Sequence, residues 1–406
     1  MEIRGVRESE IAEMIDLQCQ VFRPDGHERY RQYVRTDPSY RYDQSRVLLV
    51  NGEIVSTLRV WEREMRIGSV PVPMGGIGGV GTHPEHQGAG YATALMKDTI
   101  DYMRTVGYDV GVLFAAIPCA FYRKLGWASV PLAGFRVTRR RTIGLEPTEW
   151  HLEPFDEGRD LELSIALYDK HNAEQSGSLV RVRSYWESGP ARLREIMPTV
   201  VARHGDRFGG YLNFQVGEKS VNILEVAYDR TQPKALTALV SYLLEVCERE
   251  EVEELHGDIP HRHPMVDLLI EGTAGDTFLA GNSAMMLYAA NLFSLFQRLL
   301  PELQARFDAA NQNFKPVSVC FVVNDQEVGL RLLKNGTLQT FDSAEEAIRL
   351  TLPGHLFWRA LLGESSWTQL EPTLHQQGIA VEPEIAALLS ILFPQREVIF
   401  WGPDHY

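Results

Sequence analysis

The sequence predicts a mixed α/β fold of the α+β type, built from three domains, and three observations support this prediction. The chain has 406 residues, whereas one domain usually holds about 100 to 200. Its residues are 44% hydrophobic and 23% charged, which is the composition of a folded globular protein. Segments of helical and strand periodicity alternate, and a similar order of elements recurs after residue 150. We therefore predict domains over residues 1–145, 146–290 and 291–406.

The first predicted domain combines strands with three helices. Ser9 is a favourable N-cap for a helix with apolar residues at helical spacing, among them Ile11 and Met14. The pair Asn51-Gly52 between two apolar runs is typical of a hairpin turn. The expected elements are a helix at 11–22, strands at 46–50, 54–62 and 66–70, a helix at 90–105, a strand at 110–115, a short helix near Ala120 and a strand at 128–138. The polar stretch 29–42 has no predicted element.

The second predicted domain repeats this order of elements, and the third does not. Helices are expected at 161–175 and 234–250, a hairpin turn at Gly205-Asp206, and strands at 211–216, 222–227 and 254–258. The last domain is expected to contain a helix from residue 292, strands at 317–323, 329–333 and 337–341, and a helix opened by Ser343-x-x-Glu346. It is a small α+β domain.

The charge and the hydropathy pattern exclude some function classes. The net charge of −14 disfavours nucleic acids and anionic membrane surfaces, whose phosphates bind clustered Lys and Arg. It is compatible with a small cationic substrate. Residues 1–8 carry charges where a signal peptide needs an apolar stretch, and no apolar run reaches the ~18 residues of a membrane span. We therefore expect a cytoplasmic protein.

The cysteines and histidines do not form a metal-binding pattern. The chain has four cysteines, Cys19, Cys119, Cys247 and Cys320. They lie far apart without a C-x-x-C pair, which predicts reduced thiols instead of disulfides or a zinc site. His261-Arg-His263 has no third ligand nearby and is interpreted as a turn before Pro264, while His83 and His86 are expected on a surface loop. We predict no metal.

A glycine-rich loop is the strongest local signal. Gln87-Gly-Ala-Gly90-Tyr-Ala92 lies between a predicted strand and a predicted helix, where unpaired backbone N–H groups and the helix dipole can hold a pyrophosphate. The alternative is a tight strand-to-helix connection with no ligand. The strand before the loop contains Gly75, Gly76, Gly78, Gly79 and Gly81. Such a strand is unfavourable unless a bulge forms or another extended chain lies close to it.

Two segments resemble the signatures of a known family. Thr82-His-Pro-Glu-His-Gln87-Gly-Ala-Gly90-Tyr-Ala92 is similar to the coenzyme A signature of the GNAT superfamily of acetyltransferases, and Phe121-Tyr-Arg-Lys-Leu-Gly126-Trp127 resembles its second signature. The resemblance implies an acetyl-CoA-dependent N-acetyltransferase whose acceptor is a primary amine, such as an aminoglycoside, a polyamine or a lysine side chain. It assigns coenzyme A binding to Val80, Gly81, Thr82, Gln87, Gly88, Ala89, Gly90, Tyr91, Ala92, Thr93, Ile117 and Pro118.

Over its whole length the chain resembles the enhanced intracellular survival (Eis) acetyltransferases. That resemblance implies a GNAT domain, a degenerate GNAT-like domain and a final domain similar to sterol carrier protein type two. It also implies a homo-oligomer, with a hexamer as one form. In the second domain the corresponding loop, Tyr228–Lys234, has no glycine and contains Pro233, which removes an N–H donor. We expect no coenzyme A there.

The resemblance implies two catalytic residues. Tyr122 would be the acid that protonates the leaving sulfur, because a phenol with a pKa of about 10 is protonated at neutral pH; the alternative is a packing tyrosine. The base would be the terminal carboxylate of Tyr406, and a strand at 398–401 is expected to anchor it, the alternative being a frayed tail. Backbone N–H groups near residues 80–82 would polarise the thioester carbonyl.

Two further interpretations concern the acceptor and rival functions. The loop Arg23–Glu28 is expected to form a wall of the acceptor pocket, where its carboxylates could attract an ammonium group, or to be merely solvated. A rival hypothesis is a carrier of an apolar ligand, or a scaffold, with a vestigial acetyltransferase domain. The apolar helix predicted at 352–362 is its main support, although core packing explains the same face.

Overall fold

The computed structural model of the protein describes residues 1–115, 117, 119–188, 199–282, 284–342 and 347–405. The internal contacts of the chain divide it into two compact units. Unit 1 comprises residues 1–130 and 284–397, and unit 2 comprises residues 131–282 and 398–405. The mixed α/β fold is confirmed, and the division into three domains stays a prediction.

The elements are named in chain order. The strands are β1 (Glu2–Gly5), β2 (Ser45–Val50), β3 (Glu53–Ile67), β4 (Val70–Thr82), β5 (Val110–Phe114), β6 (Ala128–Ser129), β7 (Leu132–Thr142), β8 (His151–Pro154), β9 (Leu179–Val180), β10 (Val200–His204), β11 (Arg207–Val216), β12 (Ser220–Tyr228), β13 (Glu254–Gly257), β14 (Thr273–Asn282), β15 (Met285–Ala289), β16 (Val317–Val323), β17 (Gln326–Leu332), β18 (Leu338–Phe341) and β19 (Ile348–Thr351).

The helices are α1 (Ile11–Phe22), α2 (His27–Thr36), α3 (Tyr91–Val106), α4 (Ala120–Arg123), α5 (Glu157–Asn172), α6 (Arg183–Ser188), α7 (Pro233–Arg249), α8 (Pro264–Gly272), α9 (Leu292–Ala310), α10 (Gly354–Leu362), α11 (Trp367–Gln376) and α12 (Pro383–Leu392). Short 3₁₀ turns lie at Glu8–Glu10, Tyr42–Gln44, Pro84–His86 and Gly402–Asp404.

The main sheet of unit 1 has the strand order β1-β2-β3-β4-β5-β15-β6. The hairpin between β2 and β3 turns at Asn51 and Gly52, with φ of 53° and 91°, as predicted. The strand predicted at 66–70 is wrong, because β3 continues to Ile67 and a second hairpin turns at Gly68. The charged residues Arg63 and Glu64, which separated the two predicted strands, lie within β3, where the Arg63 side chain is 8% exposed and pairs with Asp37. Because of these charged side chains, the sequence pattern of one continuous strand was interpreted as two strands.

Helix α1 is confirmed, although it begins after the 3₁₀ turn with Glu10 in the N-cap position instead of Ser9. Helix α2 was missed, since most of its residues are polar or charged. Tyr30, Tyr33 and Val34 in that helix are half-buried at i, i+3 and i+4, which is the helical spacing that the sequence already contained. Helix α3 buries its apolar face against the main sheet of unit 1.

The remainder of unit 1 contains a second sheet with the order β18-β17-β16-β19 and the helices α9 to α12. The predicted capping box Ser343–Glu346 lies outside the described residues. The chain that follows is the strand β19, not a helix. In α10 the apolar side chains are buried, including Leu356, Phe357 and Trp358, so core packing accounts for the face that suggested a carrier.

The sheet of unit 2 has the order β14-β7-β13-β12-β11-β10-β8, with β12 and β13 parallel. The strand predicted at 128–138 is split into β6 and β7, because Val130-Pro131 interrupts it and proline cannot donate to a ladder. The hairpin at Gly205-Asp206 joins β10 and β11 as predicted. The strand β14 was missed, since most of its residues are exposed and few are apolar.

The C-terminal segment of unit 2, residues 398–405, is anchored, but not by the predicted strand. Val398 forms one isolated bridge with Ser176, and the amide of Ile399 donates to the Ser176 carbonyl at 2.9 Å. Ile399 and Trp401 are 1% exposed within the unit 2 core. The Trp401 indole N–H donates to Asn172 Oδ1 at 2.9 Å. Burial of large side chains therefore replaces strand pairing.

A buried ionic cluster holds the same segment. Arg181 Nε donates to Asp404 Oδ1 at 2.9 Å, and Arg181 Nη1 donates to Glu225 Oε1 at 3.0 Å. The three side chains are at most 1% exposed, and the Tyr211 hydroxyl also donates to Glu225. Burial would lower the pKa of Arg181, but Asp404 and Glu225 hold it well above its ordinary value. The guanidinium therefore stays charged.

Candidate active site

A bulge distorts β4 where the glycines cluster. Thr57 pairs with Gly81 and Arg59 with Gly78, so two residues of β4 oppose one residue of β3. Gly79 within the bulge has φ of +63°, a conformation that side chains with a Cβ rarely adopt. The bulge expected from the glycine run is present. At Gly81 a glycine is favoured for a different reason: a Cβ there would lie only 3.0 Å from the Phe22 ring.

The main sheet of unit 1 opens between its two parallel neighbours. β4 and β5 are in register from Met74 with Val110 to Ile77 with Leu113. Beyond that point β4 stays paired with β3 as far as Thr82, whereas β5 stays paired with β15. The backbone of β4 after the bulge therefore has no β5 partner among the described residues.

The predicted phosphate loop is an exposed turn that leads directly into α3. Gly88 and Gly90 have φ of +82° and +83°, and a Cβ at either position would meet nothing within 4 Å. Gln87 Nε2 donates to the Thr82 carbonyl at 3.3 Å and closes the turn. Ala89 is exposed as well. The space around these residues is open to a ligand.

The N-terminus of α3 carries unpaired donors. Gly90 is the N-cap, and no side chain caps it. The first helical hydrogen bond runs from Ala94 N to Gly90 O at 3.0 Å, so the amides of Tyr91, Ala92 and Thr93 precede the helical ladder. These half-buried residues present the positive end of a 16-residue helix. The residues fit the pyrophosphate site that the sequence predicts.

Tyr122 is held rigidly in the one-turn helix α4. The Leu125 and Trp127 amides donate to its carbonyl at 2.9 and 3.2 Å, and Trp127 is 2% exposed. Tyr122 itself is 6% exposed, and its hydroxyl has no hydrogen-bond partner among the described residues. Burial, with a smaller effect of Cys119, raises the pKa of Tyr122 above its ordinary value. The phenol is protonated at neutral pH and free to donate.

A pocket of about 290 Å³ adjoins the bulge. We call it the α1–α2 pocket; its walls are Met14, Gln18, Phe22, Arg23, Arg29, Tyr30, Tyr33, Val34, Ser45, Arg59, Trp61, Gly78 and Gly79. Of the predicted wall Arg23–Glu28, only Arg23 lines it. Glu28 lies 3.8 Å from Arg31, and Asp25 is exposed. The contributions of Arg29, Tyr30 and Tyr33 were missed because the helix α2 was missed. Arg59 lies in the predicted strand β3, where no local pattern marks it as a pocket residue.

The roles predicted for Ile117, Pro118 and Tyr406 stay predictions. Pro118 and Tyr406 lie outside the described residues, and Ile117 is 50% exposed. His263 is a buried N-cap whose Nδ1 accepts from the Met265 amide at 3.2 Å, so the turn before Pro264 opens the helix α8.

Among the described residues no group of three or more His, Cys, Asp or Glu is placed to bind a metal. None of the helices in the described part is both long and apolar enough to span a membrane.

Comparison with known proteins agrees with this geometry. Residues 2–130 match the family model of the acetyltransferase (GNAT) domain. Among curated proteins, none matches the sequence. A probable N-acyltransferase from Enterococcus faecalis is 17% identical with a TM-score of 0.77, and the alignment covers 100% of this chain and 99% of that one. The similarity at this level shows the fold.

Two other solved structures are similar over the whole chain. A GCN5-related N-acetyltransferase from Anabaena variabilis is 17% identical with a TM-score of 0.73, covering 100% of both chains. Eis1 from Mycobacterium abscessus is 18% identical with a TM-score of 0.68, covering 99% of both chains. The expected resemblance to GNAT acetyltransferases that include Eis is therefore confirmed.

Proposed function

We propose that this chain, which carries an acetyltransferase (GNAT) domain in residues 2–130, transfers an acetyl group from acetyl-coenzyme A to a primary amine. The observation that carries the proposal is the uncapped N-terminus of α3 behind an exposed glycine turn, next to the opening between β4 and β5. Acyl transfer is the reaction class of this fold. The identity of the donor and of the acceptor is the part that we infer.

The residues of the turn supply what a pyrophosphate needs. The amides of Tyr91, Ala92 and Thr93 would donate to its oxygens, and the helix dipole adds about half a positive charge at this end. Gly88 and Gly90 leave open space in front of these amides. Val80, Gly81 and Thr82 would bind the extended arm of coenzyme A along the free edge of β4.

We expect Gly90→Glu to raise the Kd for acetyl-coenzyme A at least about tenfold, because it places negative charge and bulk in front of the amides that receive pyrophosphate. Calorimetric titration measures this, and circular dichroism reports whether the fold is kept. Gly107→Glu is the matched control. Gly107 ends the same helix with φ of +87° and open space around its Cβ position.

The control carries the same backbone strain and the same charge at the opposite end of α3. If both variants bind acetyl-coenzyme A as the unmodified protein does, the phosphate site is not at Gly90. If both lose affinity equally, the loss comes from strain in α3 and not from the turn.

The proposed reaction is direct attack. The amine nitrogen forms a bond to the thioester carbonyl carbon, the C–S bond breaks, and the sulfur leaves as a thiolate. The backbone amides of residues 80–82 would donate to the carbonyl oxygen as negative charge develops there. Tyr122 would give its proton to the sulfur, and the proton lost by the amine restores the phenol through a base or solvent. The burial that raises the pKa of Tyr122 also raises that of a thiol in the same site.

The base in this proposal is the carboxylate of Tyr406, the last residue of this sequence. Its support is the anchored segment 398–405, which holds the chain in a defined course as far as His405. An α-carboxyl with a pKa of about 3.5 is a weak base, so it would act through a relay water or after desolvation.

Appending one glycine after Tyr406 moves the carboxylate by about 3.5 Å and keeps every side chain. We expect kcat/KM for the amine to fall at least about tenfold, since general base catalysis depends on position, and acetyl-coenzyme A binding to stay normal. Semisynthetic amidation of Tyr406 removes the charge at unchanged length, and we expect the same fall in kcat/KM with normal acetyl-coenzyme A binding. If both proteins keep full kcat/KM, the terminal carboxylate is not the base.

Four further parts of the proposal rest on the sequence and on its resemblance to known families. They are the three domains 1–145, 146–290 and 291–406, the sterol carrier-like nature of the last one, a homo-oligomer that includes a hexamer, and a cytoplasmic location. Pro233 opens α7 where a second phosphate turn would lie, which supports a second domain without coenzyme A. The carrier alternative gains no support from the comparisons, and the α10 side chains that suggested it are buried.

A further inference from the structure

The α1–α2 pocket is positively charged although the protein is acidic. Its walls contain three arginines, Arg23, Arg29 and Arg59, and none of the lining residues that the structure describes is acidic. The net charge of −14 favours cationic substrates for the molecule as a whole. A local cluster of opposite sign in a concave site therefore requires its own explanation.

Arg59 forms the floor of the pocket. It is 5% exposed, and its guanidinium carbon lies 3.5 Å from the Trp61 ring centroid. Its Nη2 donates to Asp37 Oδ2 at 2.6 Å, and Asp37 also accepts from Arg63. Asp37 thus accepts from two guanidinium groups. Burial lowers the pKa of Arg59 to about 10, so the group is charged at neutral pH.

Arg29 supplies the available positive charge at the wall. Its Nε donates to the Tyr33 hydroxyl at 2.7 Å, and it has no ion-pair partner among the described residues. Arg23, which also lines the pocket, likewise pairs with no described carboxylate. Tyr33 packs edge-on against Trp61 with ring centroids 5.4 Å apart. The wall therefore combines two guanidinium groups that pair with no described carboxylate and the aromatic side chains of Phe22 and Tyr33.

From this charge pattern we infer that the acceptor is a primary amine that also carries an anionic group on a compact apolar or aromatic body. The anionic group pairs with Arg29 and Arg23, the body packs on Tyr33 and on Phe22, which is 47% exposed, and the amine extends past Gly79 towards the opening between β4 and β5. The assignment of an acceptor rests on the proposed function. The same walls repel a polyamine or an aminoglycoside, because each added ammonium group faces an arginine.

Three matched amines test the inference: para-(aminomethyl)benzoate, benzylamine and para-xylylenediamine. They share one ring and one aminomethyl group, and differ by a carboxylate, a hydrogen or a second ammonium group. We expect the benzoate to have a kcat/KM about 10- to 100-fold above that of the diamine, the range that one charged hydrogen bond supports. Calorimetric titration of the same amines into the protein saturated with coenzyme A measures binding apart from turnover.

Variants of α2 connect the preference to the pocket. Arg29→Gln should weaken binding of the benzoate about tenfold and leave benzylamine unchanged, Arg29→Lys should keep the preference, and Arg29→Glu should reverse it towards the diamine. Arg31→Gln is the control, since Arg31 lies on the same helix, is half-exposed and is outside the pocket. Its charge preference should equal that of the unmodified protein.

The outcomes separate the two proposals. Equal or better use of benzylamine or the diamine, with free thiol released, overturns the inference and leaves the acetyltransferase proposal intact. Binding of the benzoate that depends on Arg29, without thiol release from any amine, supports the anionic site and overturns the proposed reaction. If the benzoate neither binds nor reacts, or if Arg29→Gln and Arg31→Gln behave alike, the inference is wrong.

Discussion

Replacing Tyr122 by Phe is expected to lower kcat for amine acetylation about 10²- to 10⁴-fold, the contribution of a positioned general acid. The KM for acetyl-coenzyme A should change little, because the proton is needed only as the thiolate leaves. The substitution removes one oxygen from a side chain that is 6% exposed and whose hydroxyl has no described partner. It therefore leaves no buried group unsatisfied and should not disturb the fold.

Tyr288→Phe is the control for this prediction, and it removes one more interaction, since the Tyr288 hydroxyl accepts from Arg104 at 3.1 Å. Tyr288 belongs to the same core, is 5% exposed and packs on Trp127 with ring centroids 5.5 Å apart. A packing role for Tyr122 predicts equal kcat values for the two variants. Since burial raises the pKa of Tyr122, its deprotonation should also not reduce kcat below pH ~10. A kcat loss at Tyr122 no larger than at Tyr288 would remove Tyr122 from the mechanism.

Arg181→Met is expected to lower the free energy of unfolding by about 3 to 5 kcal/mol at pH 7, because it leaves buried carboxylates without their cation. Glu225 and Asp404 are at most 1% exposed and both contact Arg181. Denaturation by urea measures the change as a shift of the midpoint. Arg183→Met is the control. Arg183 is two residues away with a side chain 58% exposed, and surface pairs contribute at most about 1 kcal/mol.

The cost of Arg181→Met should depend on pH. Burial already raises the pKa of Glu225 against the opposing effect of Arg181, and loss of Arg181 raises it further. A carboxyl with a raised pKa in the folded state binds more protons there than in the unfolded state, so stability falls as pH rises. The variant should therefore lie closer to the unmodified protein at pH ~5 than at pH 7. A deficit equal at both pH values, or equal to that of Arg183→Met, would contradict this account.

Much of the fold could be predicted from the sequence where local signals and tertiary structure agree. Asn51-Gly52 marks a hairpin that forms with positive φ at both residues, and the helix α3 begins one residue after the predicted start. The failures have a common physical cause. Arg63 and Glu64 lie within β3 although their charges suggested a gap between two strands, and four of the ten residues of α2 are charged because only one narrow stripe of it packs inward. An element is difficult to predict from composition when only a few of its residues are buried and the others are polar or charged.

The candidate site also contains parts that the sequence predicts and parts that it does not. The turn around Gly90 and the helix with Tyr122 are short contiguous segments, so their sequence pattern is sufficient to locate them. The α1–α2 pocket unites Phe22, Arg29 and Arg59 from two helices and a strand, and no local pattern reports such a combination. The loop carboxylates Asp25 and Glu28 were expected to face the acceptor on charge alone. Only tertiary structure shows that arginines occupy that wall.

The course of the chain through unit 2 has a consequence for its synthesis. Unit 2 is built from residues 131–282 and 398–405, so the ribosome makes its final segment only after the whole intervening stretch. Until then the place of Trp401 in the core is empty, and Arg181 lacks Asp404. In a nascent chain that has not reached residue 398, the core of unit 2 is therefore incomplete, and chaperones and proteases can recognise it. The core of unit 2 is therefore complete only once residues 398–405 have been synthesised, long after residues 131–282.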